Sequence, residues 1–409
     1  MKRYLKRSIE ALVLEVSKEY PVMLLTGPRQ TGKTRMLRHL AAGTSRGYVS
    51  LDDLTERALA RRDPAMFLQM HPAPVLIDEV QYAPELFSQI KRTVDEHREP
   101  GAYWLTGSQP FRLMKLAGES LAGRVAVLHM EALSRRESSK MPFCGQMEIS
   151  PDALRRRVEH SRPSSTPDIY REIWRGTLPG LVSGEYTNRD VFYSSYVQTY
   201  IERDVRDIFP SVDPIAFSNL LSAVACRTGQ ELNVHEIAKD LGVGDTSVRT
   251  GLAVLEKSDV IYYLHPYSAN TLKRVVKSPK LYFFDTGLVA YLTRWSSPET
   301  LCAGAMAGAV FENWVVSETR RTYTQCGVEP PLWYYRDRDG KEVDLVIERD
   351  GQLHPVEIKK SAKPSADMAS SFRMLDRAPL PRGMGAIACM ADSFGAVSSD
   401  VLVLPAWAI

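Results

Sequence analysis

The run Gly27-Pro28-Arg29-Gln30-Thr31-Gly32-Lys33-Thr34 constrains this chain more than any other stretch. It reads G-x-x-x-x-G-K-T. It follows the apolar run Val22-Met23-Leu24-Leu25 and precedes a segment with Met36, Leu37 and Leu40 at helical spacing. Strand, glycine loop and helix in that order are the context in which such a loop cradles phosphates. Gly27 and Gly32 let the backbone approach a phosphate chain without a Cβ clash. Successive amide N–H groups and the helix N-terminus offer the anion donors and a positive dipole. In that geometry Lys33 neutralises the β- and γ-phosphates and the Thr34 hydroxyl binds Mg²⁺. Gly27 through Thr34, with Arg35 behind them, are the expected nucleotide-binding set.

A second segment extends the constellation. Pro74-Val75-Leu76-Ile77-Asp78-Glu79 is an apolar strand ending in two acids. An acid at that strand end holds Mg²⁺, directly or through water, which assigns Asp78. Glu79 is then placed to polarise a water for attack on the γ-phosphate. Tyr103-Trp104-Leu105-Thr106-Gly107-Ser108-Gln109 is another strand ending in polar residues. Thr106, Ser108 or Gln109 could hydrogen-bond the γ-phosphate or the attacking water.

With 409 residues the chain is too long for one ordinary core, so two to four domains are expected. Apolar content of 44% and charged content of 25% match a soluble globular protein. A net charge of only +3 gives no bulk argument for nucleic acid, although local basic clusters can still supply one. Cys144, Cys226, Cys302, Cys326 and Cys389 are scattered, without a C-x-x-C pair, and read as free thiols in a reducing compartment. The basic start Met1 to Arg7 is not followed by an apolar stretch of signal-peptide or membrane-spanning type. A cytoplasmic protein without a membrane partner is expected.

Strands are expected at 21–26, 47–52, 74–79, 103–107 and 124–130, with helical patterns between. Such a βαβ series implies a mostly parallel sheet with helices on both faces. The glycine loop and the Asp78-Glu79 pair serve one nucleotide, so their strands should be near neighbours at the C-terminal edge. The pattern changes at about residue 135. Residues 151–210 look helical, interrupted by the loop Ser161 to Pro167. Tyr200 to Arg206 puts a charged face on an apolar backbone. These charges either pair with one another in solvent, or Arg203 or Arg206 reaches the nucleotide or a neighbour.

A helix from Phe217 to Cys226 precedes Leu232 to Val243, a turn at Leu241-Gly242, and a helical run that opens on Asp245 as its capping residue. This is a helix-turn-helix pattern, with Val260 to Leu264 and Lys280 to Phe284 as wing strands. In a DNA reader the second helix would present Thr246, Ser247, Arg249 and Thr250 to the major groove, with Lys273, Arg274 and Lys277 in the wing. A packing module without DNA fits the same pattern.

Residues 341–361 hold a third constellation. Asp350-Gly351 signals a two-residue hairpin between two alternating runs. That register sets Asp344 opposite Glu357 and Glu342 opposite Lys359, all four on one face. Val343, Leu345, Ile347, Val356 and Ile358 take the other. Opposed carboxylates repel, and a divalent metal held by Asp344 and Glu357 would remove the penalty. Lys359 beside it could orient or activate a water for phosphodiester attack. The D…E-x-K spacing is thus a metal-dependent nuclease pattern. The alternative is a solvated face with a Glu342–Lys359 pair, and Pro355 could bulge the hairpin and shift the register. Upstream, Glu312 or Glu318 could join the same site from a helix.

Together these segments resemble the prokaryotic AAA+-type ATPases that carry a C-terminal domain of unknown function with a PD-(D/E)xK nuclease-like fold. The resemblance rests on Gly27 to Thr34, Leu76 to Gln81, Leu105-Thr106-Gly107-Ser108, Leu121-Ala122-Gly123-Arg124, Tyr200 to Asp204, Phe284 to Leu288 and Glu342 to Ser361. It implies ATP binding and hydrolysis, with Arg124 as an arginine finger or a fold residue. The expected architecture is α/β and multidomain: a P-loop sheet domain (1–135), a helical lid or linker (136–210), a winged helix (211–295) and a restriction-endonuclease-like α/β domain (296–409). ATP with Mg²⁺ would be the switch. DNA and further copies of the chain are the candidate partners. Two rivals stand beside this reading: a non-catalytic, ATP-gated DNA-binding regulator, and a metal-dependent nuclease in which ATP serves only as a gate.

Overall fold

A computed structural model describes residues 4–108, 110–201, 213–268, 278–337 and 339–409. Gln109, Arg203, Arg206, Lys273, Arg274 and Lys277 lie outside the described residues.

The first sheet has five parallel strands in the order β2-β3-β4-β1-β5. They are β1 (Val22–Thr26), β2 (Gly47–Ser50), β3 (Val75–Asp78), β4 (Tyr103–Thr106) and β5 (Val125–His129), within two residues of the expected spans. β1 and β3 are apolar on both faces and wholly buried, as a strand covered by helices on both sides must be. One β4 width separates β1 from β3. The glycine loop and the Asp78 acid therefore end at one edge.

Of the stretch expected to be helical, 151–210, residues 151–201 are described and are mainly helical, beginning with Pro151–Glu159 and broken near 176–178 and 183–188. The second helix, Thr166–Arg175, starts two residues earlier than the loop reading allowed. Ser165 and Asp168 form a reciprocal cap, and Pro167 is accepted in the first turn, where its missing N–H costs nothing. Beyond, Pro214–Ala225, Val234–Leu241 and Asp245–Lys257 form three helices, with Gly242 left-handed (φ 66°) at the turn. The cap expected at Asp245 is instead Gly244, without a side-chain bond, and Asp245 is the first helical residue. β6 (Ile261–Leu264) and β7 (Lys280–Phe283) then pair as an antiparallel ribbon.

The last unit is a six-stranded mixed sheet in the order β12-β13-β11-β10-β9-β8. Its strands are β8 (Leu332–Arg336), β9 (Glu342–Arg349), β10 (Gln352–Lys359), β11 (Gly385–Cys389), β12 (Gly395–Ser398) and β13 (Val401–Pro405). The helix Ala307–Thr324 packs on one face, joining Leu345, Ile347, Val356 and Ile358 in the largest apolar cluster. The 3₁₀ segment Ala366–Arg377 covers the other face through Ala369, Phe372 and Leu375. The larger cluster also takes in Ile173, Phe217 and Phe283, so the helical middle and the last sheet share one continuous core.

The β9–β10 hairpin turns on Asp350 and Gly351, both at positive φ, and keeps the expected register from Gln352↔Arg349 to Val356↔Leu345. Pro355 sits opposite Val346 without a shift. The register does not continue to Asp344. Against β8, Trp333 faces Val346 and Tyr335 faces Val343, so β9 holds one extra residue there. Such a bulge re-aims side chains. It moves Val343 into the cluster of Val346 and Leu353, away from Leu345 and Ile347, which corrects the expected face.

Candidate nucleotide site and a second polar centre

β1 delivers Gly27 at φ 136°, where a Cβ would lie 2.2 Å from the Met130 carbonyl oxygen. Gly32 at φ 90° caps the Lys33–Ala41 helix in the left-handed region. Both glycines are therefore demanded by the backbone path, one for space and one for conformation. The Lys33 Nζ donates to the Gly27 and Pro28 carbonyls, at 2.7 Å each. Burial pulls its pKa down to about 8, against the opposing pull of Glu79, Asp259 and Asp78. A lysine so desolvated gains most from an anion. The Thr31 hydroxyl donates to the Pro28 carbonyl (2.9 Å), and Arg7 donates to the Thr31 carbonyl (2.7 Å), bracing the loop from the basic N-terminal segment. Gln30 is left-handed (φ 60°) with a buried Oε1 that lacks a hydrogen-bond partner among the described residues. Arg35 lies 4.0 Å from Glu185. Arg29 acts on Lys33 through its charge.

At the neighbouring strand ends, Thr34 Oγ1 donates to Asp78 Oδ1 at 2.7 Å and Thr106 Oγ1 donates to the same oxygen at 3.1 Å. Burial pushes the Asp78 carboxyl up, and the Thr34 bond opposes it. Thr34 and Asp78 are adjacent hard oxygen donors of the kind Mg²⁺ prefers, so the residues fit that ion. Glu79 stands in the left-handed region (φ 57°). Ser108 Oγ donates to its Oε2 at 3.1 Å, and Gln81 Nε2 donates to the same oxygen. Ser108 thus meets the Glu79 carboxylate, while Thr106 meets Asp78.

Three residues from outside the loop motifs enter this region. Asp259 follows the Asp245–Lys257 helix at φ 53°, and its carboxylate faces His129 Nε2 at 3.7 Å. Neither Asp259 Oδ2 nor His129 Nε2 has a hydrogen-bond partner among the described residues. Burial raises the Asp259 pKa, and His129, Arg320 and Lys33 work against that rise. Arg320, from the Ala307–Thr324 helix, pairs with Glu131 and lies over the Phe284 ring at 4.7 Å. Nothing in the local sequence marks these three, because three distant segments supply them. Arg124 lies elsewhere. Its carbonyl bonds Val22 N at the opposite end of β1, and its guanidinium is paired with Asp95 (Nη2–Oδ2 2.9 Å). Towards this chain's own loop it is a fold residue and not a finger.

The second centre lies on the last sheet. Lys359 Nζ is 2.5 Å from Glu357 Oε1 and 3.8 Å from Asp344 Oδ2, so the three D…E-x-K residues converge. Asp344 is not a ladder partner of Glu357. At the bulge its Oδ2 accepts the Ile358 N–H at 2.8 Å. Burial, then the Asp344 charge, push the Glu357 carboxyl up to about 7, and Lys359 opposes them. Glu342 turns away from Lys359, so the expected Glu342–Lys359 pair does not form. Instead Lys280 of β7 reaches Glu342 Oε1 (2.5 Å) and Glu312 Oε1 (2.8 Å), and Tyr282 donates to Glu312 at 2.7 Å. Glu312 approaches this centre. Glu318 does not, because it binds Arg321 and the Arg135 N–H in a separate buried seam. The acid repulsion that argued for a metal is offset here by two ammonium groups. Among the described residues, no group of three or more His, Cys, Asp or Glu is placed to hold a metal ion.

Three family models match the chain. Residues 19–139 match one described as an AAA domain, and residues 166–299 and 307–408 match two separate domains of unknown function. The fold and the site thus define an α/β multidomain chain with an N-terminal AAA domain and its nucleotide-binding loop. Uncharacterized proteins of Mycobacterium tuberculosis and Mycobacterium bovis are each 29% identical over 359 residues, covering 87% of this chain and 74% of theirs. Among solved structures, a Walker-type ATPase of Pyrococcus abyssi aligns with a TM-score of 0.47 at 17% identity, over 71% of this chain and 96% of that one. The RuvB Holliday junction branch migration motor of Thermotoga maritima aligns with a TM-score of 0.29 at 17% identity, over 62% and 86%. All five cysteines are free, and no described helix is long and apolar enough to cross a membrane.

Proposed function

We propose that this chain is an ATPase whose nucleotide state is read by the segments that follow the AAA domain. The observation that carries the reading is the joined strand-end network: Thr34 on Asp78 at 2.7 Å, with Glu79 held by Ser108 and Gln81 alongside. Mg²⁺ held by Thr34 and Asp78 would supply charge neutralisation at the phosphates. Lys33 exchanges its two loop carbonyls for phosphate oxygens. Glu79, oriented by Ser108 and Gln81, accepts the proton of the attacking water. Asp259 gives the output a route: a buried carboxylate from beyond the AAA domain feels the same Lys33 that binds phosphate. The test compares Lys33→Ala with Glu79→Gln. Lys33→Ala loses ATP binding, whereas Glu79→Gln keeps binding and loses hydrolysis by roughly 10²–10⁴-fold, the usual range for a general base. Wild-type turnover in Glu79→Gln would remove Glu79 from the mechanism.

A second reading concerns the output. The convergence of Asp344, Glu357 and Lys359 favours a nuclease-like domain at 296–409, with DNA as substrate or partner through a winged helix at 211–295. Thr246, Ser247 and Arg249 are exposed on the Asp245–Lys257 helix of that unit, with Thr250 half-buried. Strand cleavage by wild type with Mn²⁺, abolished in Asp344→Asn, supports this reading. No cleavage of single- or double-stranded DNA with Mg²⁺ or Mn²⁺ would leave Lys359 and its acids structural.

A further inference from the structure

Arg157, on the Pro151–Glu159 helix, is only 1% exposed. Its Nη2 donates to the Gly145 carbonyl at 2.7 Å, and its Nη1 is buried without a hydrogen-bond partner among the described residues. The groups that act most strongly on its charge are Arg136, Cys144, Tyr323 and Cys326, none of them a carboxylate. Burial, then Arg136, pull its pKa down to about 10. A buried guanidinium without an ion-pair partner among the described residues is costly to the fold, so its retention calls for an explanation. One lies beside it. A cavity of about 360 Å³ is lined by Arg156, Arg157, Arg349, Glu148, Cys144 and Cys326. Three arginines and one acid line it: Arg349 is shared between Glu148 Oε2 at 3.3 Å and Asp350 Oδ2 at 3.2 Å, the Glu148 Oε1 accepts from Ser150 at 2.9 Å, and neither acid is paired with Arg156 or Arg157 among the described residues.

We propose that this cavity is a binding site for a small phosphate-bearing anion, a phosphomonoester or a diphosphate. Guanidinium forks match phosphate oxygens bidentately; Arg156 and Arg157 both line the space, and the buried Arg157 still has an unused donor among the described residues. The volume admits a phosphate together with a modest organic group. The site is separate from the glycine loop and draws on four segments: residues 144–148, the helix of Arg156 and Arg157, the chain just past the Ala307–Thr324 helix at Cys326, and β9 at Arg349. An anion held there clamps the helical middle to the last sheet and stabilises that junction by mass action.

The test uses the full chain carrying Lys33→Ala, which removes phosphate binding at the glycine loop. Inorganic phosphate, pyrophosphate, AMP and adenosine are titrated by calorimetry. Thiol modification is followed residue by residue by mass spectrometry. The expected result is saturable binding of pyrophosphate or AMP, and at least fivefold slower modification of Cys144 and Cys326 relative to the exposed Cys226. The Arg156→Gln, Arg349→Gln double variant should weaken binding at least tenfold. These two side chains sit at the cavity rim, so the comparison stands even if Arg157→Met fails to fold. AMP favoured over pyrophosphate points to an ester, and the reverse to a diphosphate. Three results would overturn the proposal: no saturable binding of any phosphate, affinity unchanged in the double variant, or adenosine binding as tightly as AMP.

Discussion

Replacing Lys280 with Met removes the buried cation that two half-buried acids share. Lys280 Nζ lies 2.8 Å from Glu312 and 2.5 Å from Glu342, and its side chain is buried. Burial lowers the Lys280 pKa, but Glu312, Glu342 and Asp344 more than reverse that effect, and the net shift is upward. The lysine's contribution is therefore complete below its unfolded pKa of about 10.4 and is lost only as the pH climbs through the higher folded value. Methionine is close to lysine in shape, so the loss is electrostatic. Removing one partner of a buried pair costs about 3–5 kcal/mol. At a urea dependence of roughly 2–3 kcal/mol per molar, the midpoint should fall by about 1–2 M at pH 7.5. The pH dependence supplies the sign. Burial already raises the Glu312 pKa, and Lys280 opposes it. Without Lys280 the carboxyl rises further, so it takes up a proton on folding. The deficit is then largest at high pH and shrinks as the pH falls through the raised value toward about 4.3. Urea melts of both proteins between pH 5 and 8.5 measure this. Adding Glu312→Gln and Glu342→Gln to Lys280→Met should restore most of the loss. A single variant within about 0.5 kcal/mol of wild type at pH 7.5, or a deficit independent of pH, would refute the reasoning.

Gly27→Ala should destabilise the AAA domain by roughly 1–3 kcal/mol and weaken ATP binding, because φ is 136° and the Met130 oxygen stands 2.2 Å from the new Cβ; thermal melts and nucleotide titration check both effects. Asp259→Asn should tighten ATP binding about fivefold, since about 1 kcal/mol of repulsion between a buried carboxylate and incoming phosphates is a modest Coulomb term at an effective dielectric near 20. Titration with a fluorescent ATP analogue reads this, and unchanged affinity would place Asp259 outside the nucleotide's field. Glu357, with its carboxyl pushed up to about 7, makes the wild type lose stability as the pH rises from about 4.5 through 7. Glu357→Gln should flatten that slope, changing the pH 5-to-8 difference by roughly 1–3 kcal/mol in urea melts.

The first sheet was legible because each strand is a short apolar run between turn residues, and β1, β3 and β4 are buried throughout. The Asp350-Gly351 turn likewise announced its hairpin, and the register followed from its two-residue length. That logic failed three residues short of the strand end, at Asp344. The extra residue in β9 is specified by pairing with β8, which no local pattern encodes. The same bulge took Glu342 to Lys280 and Asp344 to the Ile358 N–H. Asp245 was misread as a cap for a smaller reason: Gly244 and Asp245 both suit a helix start, and the choice depends on the preceding turn.

What the sequence determined is chemistry carried by neighbours along the chain. The glycine loop, Lys33 and Thr34 are held together by a turn and the first turn of a helix, and Asp78 with Glu79 by one strand end. Only the tertiary structure brought Ser108 to Glu79, Asp259 and His129 to the field of Lys33, and Lys280 to Glu312 and Glu342. The physical reason is range. Backbone geometry relates residues a few positions apart, so motifs survive in one dimension. Contacts across more than a hundred residues, such as those of Asp259 with His129, exist only once a shared apolar core has closed around them.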